Sequence, residues 1–315
     1  MAATMVATGF GGPEVLAVVD RAVPGPGPGQ VSVAVRALGT NAIDSKLFSG
    51  DFGADPSLLP MPVGSEASGV VTAVGDGAAG PAGPIRTGDE VILYRPPGAY
   101  TSQLGVEADP ALPKPASLSF EEASGLLLVG STAVHALTVT GVGAGDVVLV
   151  HGAAGGVGRM VVQLAVTAGA RVIGTASPSR HAYLRQLGVE PVVYGDGLLE
   201  RVTASASDGV DVAVDTVGTD EAVDVSVSLV ADRSRIVTIA NVRRGLDLGT
   251  EVIGGAPGAD PGTEERSAAR LELVELAETG TLSVLAADAY PLAEAADALR
   301  QPATGHTHGK VVLIP

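Results

Sequence analysis

The chain has 315 residues and a formal charge of −16, from 35 acidic against 19 basic side chains. That length suits one large or two ordinary domains, and the charge disfavours nucleic acid and anionic membrane surfaces as partners. There is no Cys, which excludes disulfides, thiolate zinc sites and cysteine nucleophiles.

From Met1 to about Ala123 the chain consists of short extended runs broken by Gly and Pro. Val31–Arg36 alternates, Gly69–Val74 is a second run and Glu90–Leu93 a third, which predicts an irregular β domain. Pro24–Gly29, PGPGPG, reads as a stiff loop between strands. The nearly uncharged stretch Ala123–Gly145 is too rich in Gly, Ser and Thr to span a membrane. No basic segment followed by an apolar run opens the chain, so a cytoplasmic location is expected.

From about Asp146 the pattern alternates between strand and helix. Strands are predicted at Val147–Val150, Arg171–Thr175, Val192–Tyr194, Val210–Val214 and Arg235–Ala240, with helices at Gly156–Ala168, Ser179–Leu187, Leu198–Ala206 and Glu221–Leu229. Apolar strands separated by helices imply an α/β fold, a doubly wound parallel sheet of the Rossmann type. A glycine-rich passage follows Gly245. Then come a helix at Glu264–Glu278, a strand at Leu282–Ala287, a helix at Leu292–Leu299 and a strand at Val311–Ile314, which return to the first domain. The expected boundaries are 1–123, 124–262 and 263–315.

The loop His151-Gly152-Ala153-Ala154-Gly155-Gly156-Val157-Gly158 follows an apolar strand and opens a helix, the setting of a dinucleotide fingerprint. Ala154, Gly155, Gly156, Val157 and Gly158 would surround the pyrophosphate. Gly155 permits close backbone approach, Gly158 permits helix–strand packing, and the free amides favour an anion. Ala153 stands at the usual first Gly. A carboxylate after the second strand would select NADH, but no Asp or Glu occurs between Gly152 and Val189. Thr175, Ser177, Ser179 and Arg180 stand there instead and point to NADPH, while Ser177 and Ser179 also suit a helix cap.

Gly11–Leu16 (GGPEVL), Gly39–Asp44 (GTNAID), Gly64–Val71 (GSEASGVV), the Ala153–Gly158 loop and Gly309–Leu313 (GKVVL) together resemble the zinc-independent quinone oxidoreductases, zeta-crystallin-like members of the medium-chain dehydrogenase/reductase superfamily. The resemblance spans essentially the whole chain. It implies a GroES-like catalytic domain built from both chain ends, a central Rossmann domain and a homodimer. Zinc-dependent relatives have Cys where Asn41 stands and His where Ser65 stands, so metal-free chemistry is expected. The resemblance also places Asn41 and Thr132 near the nicotinamide and its ribose or phosphates, Arg180 and Ser177 at the 2′-phosphate, and Tyr194 near the adenosine. Thr216, Val217, Ile239, Ala240 and Asn241 would line the nicotinamide side. For Tyr194 a half-buried strand residue is the alternative. His135 and His151 read as packing residues, His181 as a neighbour of the adenine phosphate, and His306 and His308 as a surface turn.

Where many family members carry Tyr, this chain has Lys46. Some enone-reducing relatives resemble it in having Lys after Asn-x-x-Asp, and an ammonium there could stabilise charge developing on a substrate carbonyl. The alternative is a salt bridge from Lys46 to Asp44 or another carboxylate. The candidate catalytic residues are therefore Lys46, Asn41 and Asp44. The expected activity is NADPH-dependent, metal-free hydride transfer to an apolar conjugated carbonyl compound, a quinone, enone or enal. The alternative is a non-catalytic NADPH-binding sensor or structural protein of the same fold.

Overall fold

In the first unit of the protein the longest strand, Gln30–Gly39, is the organising element of the sheet. Its Val31, Val33, Ala37 and Leu38 are buried, and Gln30–Ala34 also pairs with Gln103–Glu107. In this computed structural model, which describes residues 1–301 and 309–315, the sheet runs in spatial order Ala111–Pro113, Glu90–Tyr94, Glu66–Val74, Gln30–Gly39, Lys310–Ile314, Ala286–Pro291. Val312 and Leu313 lie opposite Gly39 and Leu38. Thus a strand from the end of the chain is built into the sheet of the first domain. Thr40 extends the join, because its N–H and its hydroxyl both donate to the Val311 carbonyl, at 3.1 and 2.8 Å. A smaller sheet pairs Ala2–Ala7 with Leu16–Arg21 and Met61–Pro62. Phe48, Tyr100, Leu93 and Leu313 fill the core of this unit.

The second unit is a six-stranded sheet, all parallel, in spatial order Val189–Val192, Arg171–Thr175, Val147–His151, Val212–Asp215, Ile236–Thr238, Glu251–Val252. Strand order reverses at Val147–His151, which makes its C-terminal end the switch point where such sheets bind ligands. The chain is thus an α/β protein with a Rossmann-type sheet and an irregular β unit formed from both ends. The first unit comprises Met1–Leu128 with Arg270–Pro315, the second Val129–Ala269. Both boundaries fall inside helices, Leu127–Thr140 and Thr263–Glu278, rather than at 123 and 262.

Several elements differ from the sequence expectation. The third strand of the parallel sheet is Val189–Val192, so Val193 and Tyr194 lie beyond its end. A helix at Val242–Leu248 and a sixth strand at Glu251–Val252 occupy the start of the glycine-rich passage. The strand expected at Leu282–Ala287 is Ala286–Pro291, set by its parallel partner Lys310–Ile314. The rest of the passage is tied down by His135, a buried residue whose Nε2 lies 3.1 Å from Asp260 Oδ2. Gly262 lies so close to the imidazole that a β-carbon there would stand 2.2 Å from the ring. His306 and His308 lie outside the described residues.

The glycine loop shows which glycines are obligatory. A β-carbon on Gly158 would stand 2.1 Å from the Gly152 carbonyl oxygen, whereas one on Gly155 would meet that oxygen at 3.2 Å. Gly158→Ala is therefore expected to destabilise the second unit by about 3 kcal/mol or more, since neither backbone can yield. Gly155→Ala should cost no more than about 1 kcal/mol in stability, because only a small shift is needed. Its β-carbon would still obstruct a phosphate at the loop, so cofactor affinity should fall. Chemical denaturation and cofactor titration of both variants check this.

Candidate functional site

In the second unit the parallel strands end in a cluster of loops. The amides of Gly156, Val157 and Gly158 open the helix Gly156–Thr167 and have no acceptor within it. The loop is held from below, because the Thr175 hydroxyl accepts from Gly152 N–H at 3.1 Å and the Thr175 carbonyl accepts from Ala153 N–H at 3.0 Å. Thr175 is buried, so it shapes the loop rather than presenting its own hydroxyl to a ligand. Ala153 in place of Gly is accommodated by Gly174, where a β-carbon would stand 2.6 Å from that of Ala153. The bulk gained at one position is removed at its neighbour.

Beyond Thr175, Ser177 and Arg180 are half-buried, Ser179 is exposed, and the two serine hydroxyls lie 3.1 Å apart. Tyr194 is exposed past its strand, so the half-buried alternative is not realised; the strand ends at Val192. His181 Nε2 lies 3.2 Å from the Ala176 carbonyl, which fixes the turn entering the helix His181–Gln186. Thr132 lies half-buried in the helix Leu127–Thr140.

On the other side of the switch point, buried Asp215 orders two loops. Its Oδ1 accepts from Val217 and Gly218 N–H at 2.9 and 3.0 Å, and its Oδ2 accepts from the Thr238 hydroxyl at 2.7 Å. Thr216 donates its hydroxyl to the His151 carbonyl at 2.7 Å. Val217 and Ala240 are exposed and Ile239 is half-buried. Asn241 caps the next helix with Oδ1, while its Nδ2 donates to the Gly218 carbonyl and to Asp220. Its amide is a brace between loops. Burial lowers the pKa of His151 to about 4, so the imidazole stays neutral against Ser226.

The first unit holds a second cluster around the helix Ala42–Ser49. Asn41 is its N-cap, and the Asp44 carboxylate reaches back to accept the Asn41 N–H at 2.8 Å. Asp44 is fully buried and also accepts from the Ser65 and Tyr100 hydroxyls, at 2.6 and 2.8 Å. The salt bridge to Lys46, the alternative to a catalytic role for that residue, is not formed. Lys46 is exposed, and residues two apart on a helix face different directions. Asp44 thus positions Asn41, Ser65 and Tyr100, and its carboxylate is enclosed rather than open to a substrate. Burial pushes its pKa up to about 6 even though these hydrogen bonds pull it down. Burial, then the Asp44 charge, raises the Tyr100 pKa well above its ordinary value, so the phenol remains a donor.

Two residues without an assigned role in the sequence complete the cluster. Lys310 is buried; its ammonium lies 3.3 Å from Glu66 Oε2 and donates to Asn41 Oδ1. Asn41 Nδ2 donates to the same Glu66 oxygen at 2.9 Å, and Glu66 Oε1 accepts the Leu128 N–H at 2.5 Å. The Asn41 amide is therefore fixed within its own unit by a buried ion pair.

Residues 27–108 match the family described as alcohol dehydrogenase GroES-like domain, and residues 156–254 that described as zinc-binding dehydrogenase. The chain is 35% identical to a quinone oxidoreductase of Pseudomonas aeruginosa, with 97% of each protein covered. It is 31% identical to the human synaptic vesicle membrane protein VAT-1 homolog, covering 99% of this chain and 86% of that protein. Among solved structures, the Escherichia coli quinone oxidoreductase in complex with NADPH superposes with a TM-score of 0.84 at 30% identity, with both chains covered completely. The chain belongs to the quinone oxidoreductases of the medium-chain dehydrogenase/reductase superfamily.

The zinc in one family's description does not fit these residues. Asn41 presents its oxygen to an ammonium, Ser65 gives its hydroxyl to Asp44, and the chain has no thiol. A divalent cation there would face Lys310 at close range.

The Asp44 arrangement has a pH signature. Burial raises its folded-state pKa from the ordinary 3.8 to about 6, so the group favours folding most below pH 3.8 and loses that contribution as pH rises through 6. Asp44→Asn keeps an acceptor for Asn41 and Tyr100 and offers N–H to a rotated Ser65 hydroxyl. At pH 7 its thermal midpoint is expected to exceed that of the wild type by roughly 2–5 °C. By about pH 4 the advantage should vanish. Calorimetry across this range checks it, and a lower midpoint at pH 7 would contradict the assignment.

Proposed function

We propose that this chain reduces apolar conjugated carbonyl compounds, quinones or enones and enals, using NADPH and no metal ion. The observation that carries the reading is the second-unit loop cluster. Free helix amides meet a hydroxyl- and guanidinium-bearing turn, Ser177 to Arg180, that has no carboxylate to receive a ribose diol. One relative is named a quinone oxidoreductase, and the E. coli quinone oxidoreductase was solved with NADPH bound, which supports the cofactor and the quinone part of the reading.

The residues fit that cofactor. Gly155–Gly158 would hold the pyrophosphate, Ser177 and Arg180 the 2′-phosphate, and exposed Tyr194 the adenosine. Val217, Ile239 and Ala240 would flank the nicotinamide. When bound, NADPH supplies a hydride to an electron-poor carbon of the substrate.

The chain's own contribution is positioning and charge stabilisation. Lys46 carries its ammonium exposed on the helix that Asn41 caps, and among the described residues no carboxylate pairs with it. It would donate to the substrate carbonyl oxygen as negative charge grows there, while the α-carbon takes its proton from water. Leu47, Phe52 and Leu58, exposed on the same stretch, offer apolar surface to such a substrate. Asn41 cannot turn its amide without breaking from Lys310 and Glu66, so it acts as a fixed wall of this unit. The same reading takes the enzyme to be a cytoplasmic homodimer. Among the described residues no helix is long and apolar enough to cross a membrane.

The test is NADPH oxidation by the chelator-treated protein with a panel of enones and quinones, beside NADPH and NADH titrations. NADPH should bind more tightly than NADH, and turnover should survive chelation. Lys46→Ala should lower kcat on the order of 10²-fold with NADPH affinity nearly intact. Thermal stabilisation by NADPH without any oxidation would instead favour a binding protein. An unchanged kcat in Lys46→Ala would remove Lys46 from the mechanism.

A further inference from the structure

Arg159 is the fourth residue of the helix Gly156–Thr167, directly after Gly158, and is only 5% exposed. The residues that follow it, Met160, Val161 and Val162, are buried and apolar. Its guanidinium carbon lies 5.8 Å from the centroid of the Tyr183 ring. Among the described residues this stack is its one side-chain interaction; no carboxylate, carbonyl or hydroxyl accepts its donors. Stacking occupies the face of a guanidinium and leaves the five N–H donors at its edge. Nor are those nitrogens sealed away, since they are not among the buried atoms that lack a partner. A chain with 35 carboxylate side chains has no shortage of counter-ions. Enclosing an arginine without one is costly, and that cost falls when an anion is bound.

Its surroundings indicate which anion. Tyr183 is the third residue of the helix His181–Gln186, three positions after Arg180 and six after Ser177. The stack thus joins the first turns of the two helices that follow the first and second strands of the parallel sheet. Both turns lie at the C-terminal end of that sheet, where the second strand delivers Thr175, Ser177 and Arg180. The positive end of the longer helix, Gly156–Thr167, adds to the field of two guanidinium groups. A single charge would not match this concentration of positive potential as well as a phosphate dianion would.

We infer that Arg159, braced on Tyr183, is a second guanidinium for the 2′-phosphate of the dinucleotide and sets cofactor choice together with Arg180. This inference rests on the NADPH reading and adds to it a residue that the glycine fingerprint does not include. It also gives Tyr183 a role, that of holding the guanidinium plane.

The test uses the full-length protein, with 2′,5′-ADP, 5′-AMP, NADPH and NADH as calorimetric ligands. Arg159→Leu keeps the apolar stem against Tyr183, and Arg159→Met serves if that variant folds poorly. Each is expected to weaken 2′,5′-ADP and NADPH by about 10- to 100-fold, with 5′-AMP and NADH changed less than about 2-fold. Arg159→Lys should recover part of the loss, as a point charge lacking the planar fork. The midpoint of the ligand-free protein should be unchanged or raised, because an enclosed charge has gone. Equal losses for phosphorylated and unphosphorylated ligands would make Arg159 merely structural and overturn the inference. So would an unchanged NADPH affinity in a protein whose wild type prefers NADPH, leaving the NADPH reading intact. A wild type that binds NADH as tightly as NADPH would overturn both.

Discussion

Between the carbonyl oxygen of Gly152 and the α-carbon of Gly158 there is no room for a methyl group, and the dinucleotide site depends on that closeness. With Gly158 pressed onto the loop, the helix starts immediately beyond the strand Val147–His151 and directs its free amides past the end of the sheet. Gly152 takes a positive φ of 73° to make the turn, and a side chain there would also strike Val217. Thr175 then fastens the loop to the second strand, and Asp215 fastens the loops on the opposite side of the switch point to one another. Packing at Gly158 and backbone approach at Gly155 thus meet in one short loop.

The first unit answers a different problem. At the two positions where the resemblance implies zinc ligands in metal-dependent relatives, this unit carries Asn41 and Ser65, and the cation beside Asn41 is the Lys310 ammonium. Glu66 balances that charge, and Asn41 is oriented between them. Asp44 is the less comfortable member: three donors surround it, yet burial still makes its ionised form costly. Its role in capping Asn41 and holding Tyr100 and Ser65 gives a structural reason for a buried carboxylate at that point.

Much of this was legible in the sequence. Val147–Val150 and Arg171–Thr175 announce buried parallel strands, and the glycine spacing after His151 announces the turn. The helix Val242–Leu248 was hidden because Gly245 interrupts its pattern. That glycine is explained only by contact: a β-carbon would stand 2.7 Å from both Thr238 and Val252. Lys310 was hidden by distance, since its partners Asn41 and Glu66 lie 269 and 244 positions away. The Lys46–Asp44 pairing, by contrast, could have been rejected from helix geometry alone. Arg159 reads in sequence as one more residue on an apolar helix; only its enclosure without an acceptor distinguishes it.

Isotope transfer distinguishes the proposed metal-free delivery of hydride from NADPH to a conjugated carbonyl from any other route. The chelator-treated protein would be given NADPH deuterated at C4 on each face in turn, with a simple cyclic enone, and the product examined by NMR. One face should deliver its deuterium to the β-carbon of the saturated ketone, at a rate unaffected by added zinc. Deuterium absent from that carbon with both labels, or transfer that appears only when zinc is added, would rule out metal-free hydride transfer by this protein.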